Sequence, residues 1–193
     1  MRRMRSKYIW PLLVILAVFT QNIVGQEFKD LTFRQRLFFG GDFWLQFGDI
    51  TDILISPVLG YRVTERLSSG AGIKYEYYRN KFPVDFRTHI WGGRAFSSYT
   101  LIKNLNDIIP LGIGFSVVAH AEYEGLNLET RYFRLDAPDN ATGRFWLHSL
   151  LIGGGVGIPT GERSGASVLV LWNVNPNASR LYSNPVIRFG FTF

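Results

Sequence analysis

The segment Ile187-Arg188-Phe189-Gly190-Phe191-Thr192-Phe193 alternates without a break. Its odd positions are all apolar and mostly aromatic, and its even positions are charged, absent or small. Side chains on a β-strand repeat every two residues and point to opposite faces. The segment therefore reads as a strand with one greasy face and one polar face.

Seven further runs follow the same rule. In residues 37–47, Leu37, Phe39, Gly41, Phe43, Leu45 and Phe47 lie opposite Asp42 and Gln46. Residues 52–61 set Ile53, Ile55, Pro57, Leu59 and Tyr61 against Asp52, Ser56 and Gly60. Next, Ala71, Ile73, Tyr75 and Tyr77 face away from Gly72, Lys74, Glu76 and Tyr78. Trp91, Gly93, Ala95 and Tyr99 oppose Gly92, Arg94, Ser98 and Thr100. Val117, Ala119, Ala121 and Tyr123 oppose His120, Glu122 and Glu124. Trp146, Leu150, Ile152 and Val156 oppose Ser149, Gly153 and Gly155. Val168, Val170 and Trp172 oppose Ser167, Leu169, Leu171 and Asn173. Pro57 removes a ladder donor in mid-strand, for which a bulge is the expected remedy.

Eight strands is an even count, as a closed antiparallel membrane barrel requires. The polar face collects Asp42, Lys74, Glu76, Arg94, His120, Glu122, Glu124 and Arg188, while the apolar face runs over every strand. A soluble barrel would need the reverse, with polar residues at Ile53, Val168 and Phe191. A polar interior and an apolar wall suit lipid, where every backbone group must be paired within the barrel. Eight strands leave an interior just wide enough for side chains to fill. The expected fold is therefore all-β, an eight-stranded antiparallel transmembrane barrel with a polar, filled interior.

Aromatic residues near the read strand ends suggest two interfacial girdles. Phe47, Tyr77, Trp91, Tyr123, Trp146 and Trp172 stand at one end, and Tyr61, Tyr99 and Phe193 at the other. Segments 62–65, 103–107 and 157–164 read as turns, whereas those near 80–88, 130–142 and 175–184 are longer and polar. That asymmetry puts the turns in the periplasm and the loops outside.

Ahead of the strands, residues 1–7 carry Arg2, Arg3, Arg5 and Lys7 with no acid, and residues 8–20 form an apolar run of 13. A membrane-spanning helix needs about 20 apolar residues, so residues 1–25 read as a cleaved secretory signal ending at Gly25. Residues 26–193 are then the barrel. Setting the four leader cations aside from 21 basic residues leaves 17 against 15 acidic, so the net charge falls from +6 to +2. A nucleic-acid partner is not indicated.

The signal, the eight alternating runs, the two girdles and the closing Phe191-Thr192-Phe193 resemble the small eight-stranded outer-membrane barrels of Gram-negative bacteria (OmpX-like), over the whole of residues 26–193. The resemblance implies outer-membrane lipid as surroundings. It also implies that Phe191 and Phe193 form the signal read by the outer-membrane assembly machinery. It brings no catalytic motif, because such barrels include structural proteins, adhesion factors and lipid-modifying enzymes.

The residues themselves indicate no enzyme and no cofactor. Cys is absent, which removes thiolate metal sites and a cysteine nucleophile. Gly70-Ala71-Gly72 lacks a third glycine, and no Gly-Lys-Ser or Gly-Lys-Thr occurs. His148 and Ser149 are adjacent and so point to opposite faces of a strand, and His89 is most of a strand away from Ser97 and Ser98. The three His are too scattered for a metal cluster. The interior charges read as a paired network that fills the barrel, with Glu122 and His120 as an acid–base pair the sharper alternative. Three roles stay open: a structural or accessory envelope protein, with another envelope protein as a candidate partner; a surface-binding or adhesion module; and a narrow pore or lipid-modifying enzyme. The modest loops favour the first.

Overall fold

The computed structural model describes residues 31–82, 85–110, 112, 114–134, 141–161, 163–175 and 184–193. The expected leader lies outside the described residues. A one-turn helix (Phe33–Arg36) leads into eight strands: β1 (Leu37–Gln46), β2 (Ile50–Arg62), β3 (Leu67–Asn80), β4 (Phe86–Ile102), β5 (Ser116–Glu129), β6 (Arg144–Pro159), β7 (Gly165–Asn173) and β8 (Val186–Thr192). Each pairs antiparallel with the next, and β1 pairs with β8 to close the barrel. We call the end where β1 starts and β8 finishes the terminal end, and the opposite one the loop end.

Eight strands and their facing agree with the alternation, but several strands run further. β5 continues five residues beyond Glu124, and β4 begins five residues before Trp91. In this extension Leu126 and Leu128 point inward beside Ile90, all three fully buried, with Phe133, Phe145 and Leu147 packed on them. The interior is thus not polar throughout: a charged layer in the middle gives way to an apolar layer at the loop end. An apolar-out rule cannot follow a strand into a stretch whose inside is apolar as well.

The girdle assignments shift accordingly. Tyr123 lies mid-strand, level with Ala95 and Leu150, rather than at a strand end. Trp91 stands five residues inside β4, where its ring meets Trp146 edge-on at 5.4 Å. Phe47 sits one residue beyond β1, Trp172 one residue inside the end of β7, and Tyr77 three inside the end of β3. Toward the terminal end, Tyr61 packs on Phe33 at 5.2 Å, while Tyr99 and Phe193 are exposed.

Two local expectations also change. Residues 103–107 are the start of a connection that runs to residue 115 and holds a short 3-10 helix (Leu105–Asp107), so the terminal end carries one long connection of its own. Loop length alone therefore separates the two ends less sharply than expected. Pro57 induces no bulge: Ile55 faces Tyr75 and Val58 faces Gly72, the same offset on both sides. Instead, the Ser56 hydroxyl donates to the Ile73 carbonyl at 3.1 Å, supplying a donor where Pro57 has none. A register shift does occur in the β4–β5 ladder, between Thr100 and Ile102.

Glycines line the inner face where neighbouring strands crowd. A Cβ on Gly155 would lie 1.9 Å from the Val168 carbonyl oxygen, and one on Gly153 would lie 2.1 Å from that of Val170. Their absence lets β6 curl tightly onto β7. Gly155→Val should destabilise the barrel by about 1–3 kcal/mol through overpacking. A urea titration of the folded fraction would measure it, and an unchanged midpoint would contradict this account of the curvature.

Candidate functional site

The middle of the lumen is a layer of cross-paired charges. The inward positions of β1, β3, β4, β5 and β8 bring Asp42, Lys74, Arg94, Glu122, Glu124 and Arg188 to one level. Arg94 Nη1 lies 2.6 Å from Asp42 Oδ2 and 3.1 Å from Glu122 Oε2. Its Nη2 donates to the Ser56 carbonyl at 3.3 Å. Arg188 bridges Asp42, Glu122 and Glu124 at 3.4, 3.0 and 2.7 Å. Lys74 Nζ lies between Glu76 at 3.6 Å and Glu124 at 3.7 Å. The side chains of Glu122 and Glu124 are 1% and 0% exposed, so their charges rely on these partners rather than on water.

His120 joins the same layer from β5. Its Nδ1 lies 2.7 Å from the Ser98 hydroxyl, and its Nε2 is 3.5 Å from Glu122 Oε2. Phe96 stacks on the ring at 5.7 Å. Ser98 is directly across from His120 in the β4–β5 ladder. That partnership was missed in the sequence because it depends on register, which alternation within single strands does not reveal. The Ser–His–Glu chain has the members of a nucleophile relay. However, Glu122 is already committed to two guanidiniums, and the His–Glu separation is at the limit of a hydrogen bond. The Ser98–His120 contact ties β4 to β5.

The other two histidines face outward and each meets a tyrosine. Tyr75 Oη lies 2.7 Å from His89 Nδ1, and Tyr123 Oη lies 2.6 Å from His148 Nδ1. Ser149, next to His148, points inward and is buried. Neither His has a serine partner in these contacts. Among the described residues no group of three His, Cys, Asp or Glu side chains is placed to hold a metal ion.

Asp52, read as inward but left out of the expected charge set, also reaches the lumen. It stands level with Tyr78 on β3 and Gln46 on β1. One of its carboxylate oxygens is buried without a hydrogen-bond partner among the described residues. Nearer the loop end, Thr88 donates to Glu129 at 2.9 Å, and Arg144 pairs with Glu129 at 3.2 Å. At the end of β3, Arg79 hydrogen-bonds Asp85 at 2.9 and 3.2 Å, which holds the Asp85 carboxyl below the usual carboxylate range.

No family model and no curated protein matches this chain. Among solved structures it is similar to the N-terminal β-barrel domain of Pseudomonas aeruginosa OprF. The two are 12% identical, with a TM-score of 0.45 over 81% of this chain and 94% of that one.

Proposed function

We propose that this chain is a non-enzymatic integral barrel of the bacterial outer membrane, with a structural or accessory role in the cell envelope. The observation that carries this reading is the filled lumen. Two guanidiniums and an ammonium are shared among four carboxylates at mid-height. The fully buried Ile90, Leu126 and Leu128 lie beyond them. The outward face supports the membrane setting: Phe39, Ile55, Ile73, Leu150, Ile152, Ile187 and Phe189 are all well exposed. An apolar wall of this kind is stable in lipid and a liability in water. In this reading residues 1–25 are the cleaved signal, outer-membrane lipid surrounds the wall, and Phe191 and Phe193 are presented to the assembly machinery.

Planar-bilayer recordings of the purified barrel should show no conductance above detergent controls. Reproducible unitary steps would overturn the filled-lumen reading in favour of a pore. Purification in mild detergent then separates the two envelope roles. A stoichiometric envelope protein recovered with the barrel makes it an accessory subunit, and recovery alone makes it a stand-alone structural protein.

One observation favours surface binding as a second reading. Strands β3 to β6 have 14, 17, 14 and 16 residues, whereas about 9–11 suffice to cross a bilayer. The excess would lift the β3–β4 and β5–β6 hairpins clear of the membrane, with Phe82 at the tip 76% exposed. Replacing residues 81–85 by a tight turn should abolish surface attachment while leaving the barrel folded. Unchanged attachment would remove this reading.

A further inference from the structure

The closure between β1 and β8 is incomplete. Their ladder consists of Gly40–Thr192, Gly41–Phe191 and Asp42–Gly190. A reciprocal pair of backbone bonds between Phe39 and Phe193 extends it at the terminal end. Toward the loop end the same register would set residues 43–46 opposite residues 189–186, yet no bridge joins them. Both segments stay paired on their other sides, Phe43 to Gln46 with β2 and Val186 to Phe189 with β7. The wall therefore has a slit about half a strand long.

Side chains at the slit depart from strict alternation. Trp44 belongs to the inward set by parity, yet it is 45% exposed and stacks at 6.5 Å on Phe189 of the outer face. Behind it lies a cavity of about 350 Å³. Asp42, Asp52, Lys74, Glu76 and Arg188 line its lumen side, and Trp44, Ile187 and Phe189 its wall side. One cavity thus joins the charged interior to the apolar exterior.

We propose that this slit is a lateral binding site for a single-chain amphiphile with a cationic, ammonium-type head. The inference rests on the membrane setting proposed above. In hydrocarbon the backbone groups along an open seam are costly for want of hydrogen-bond partners, and an ammonium head can donate to the carbonyls among them while Trp44, Ile187 and Phe189 give its tail an apolar lining. The volume is at the small end of ligand pockets, which suits one chain rather than two. The head chemistry follows from the lumen side. Asp52 makes no ion pair among the described residues and has a buried oxygen without a donor, while Lys74 is already shared by Glu76 and Glu124, and Arg188 by Asp42, Glu122 and Glu124. An ammonium group supplies both the missing charge and the missing donor.

The test uses the barrel (residues 26–193) in phosphatidylcholine nanodiscs, with Trp91, Trp146 and Trp172 replaced by Phe so that Trp44 reports. A doxyl-labelled dodecylamine should quench Trp44 saturably. Unlabelled dodecylamine should displace it, and dodecanol and dodecyl sulfate should not. Asp52→Asn should weaken binding about tenfold or more, as expected for loss of a charge-assisted hydrogen bond. Quenching that never saturates, equal displacement by dodecanol, or unchanged affinity in a folded Asp52→Asn barrel would each overturn the proposal. Should Asp52→Asn fail to fold, the comparison of dodecylamine with dodecanol on the parent barrel decides. Failure of the parent to enter nanodiscs or to shift in mobility on boiling would sink the membrane reading itself, a separate result from absence of binding.

Discussion

Ile73→Arg should destabilise the barrel in bilayers by about 2–4 kcal/mol, the cost of a cation on the lipid face near the midplane. Ile73 is 67% exposed on the outer face of β3, level with Gly93 on β4 near the middle of both strands. Its carbonyl bond to Ser56 involves the backbone, so the substitution leaves that contact in place. Arginine at Phe82, beyond the end of β3, should cost no more than about 1 kcal/mol, because the penalty falls away toward the interface. Urea titration of the folded fraction in lipid vesicles measures both. Equal losses at the two positions would mean that the wall does not contact hydrocarbon as described.

Glu122→Ala should cost about 3–5 kcal/mol, because it leaves buried guanidinium charge under-compensated. Glu122 is the shared partner of Arg94 and Arg188, at 3.1 and 3.0 Å, and its side chain is 1% exposed. Removing both members of one pair, as in Arg94→Met with Glu122→Leu, should restore much of that loss. Asp42 and Glu124 still hold Arg188 in the double variant. The same titration compares single and double variants, and a double variant as unstable as the single would argue against charge pairing as the reason for the residues.

How far the sequence carried this reading depended on which physical rule each feature obeys. Period-two alternation is local, so segments such as residues 187–193 revealed both the strands and their facing. It also collected Asp42, Lys74, Glu76, Arg94, His120, Glu122, Glu124 and Arg188 on one side. The rule lost its grip where its premise failed. Beyond Glu124 the inward residues become Leu126 and Leu128, and β5 was read five residues short. Pairing between strands is non-local, and the tie between Ser98 and His120 needed the ladder. The same holds for the slit, since alternation in β1 and in β8 says nothing of how many rungs join them.

Strand length varies around the wall, and in the membrane reading this has a consequence for the surrounding lipid. β8 and β7 have 7 and 9 residues, against 17 in β4 on the far side. At about 3.3 Å per residue and a tilt near 45°, seven residues reach through only about 16 Å of a bilayer whose apolar core is about 30 Å thick. A bilayer meeting such a wedge must thin on its low side, or the whole body must lean. In the membrane reading, short-chained or loosely packed lipids would gather against β7, β8 and β1.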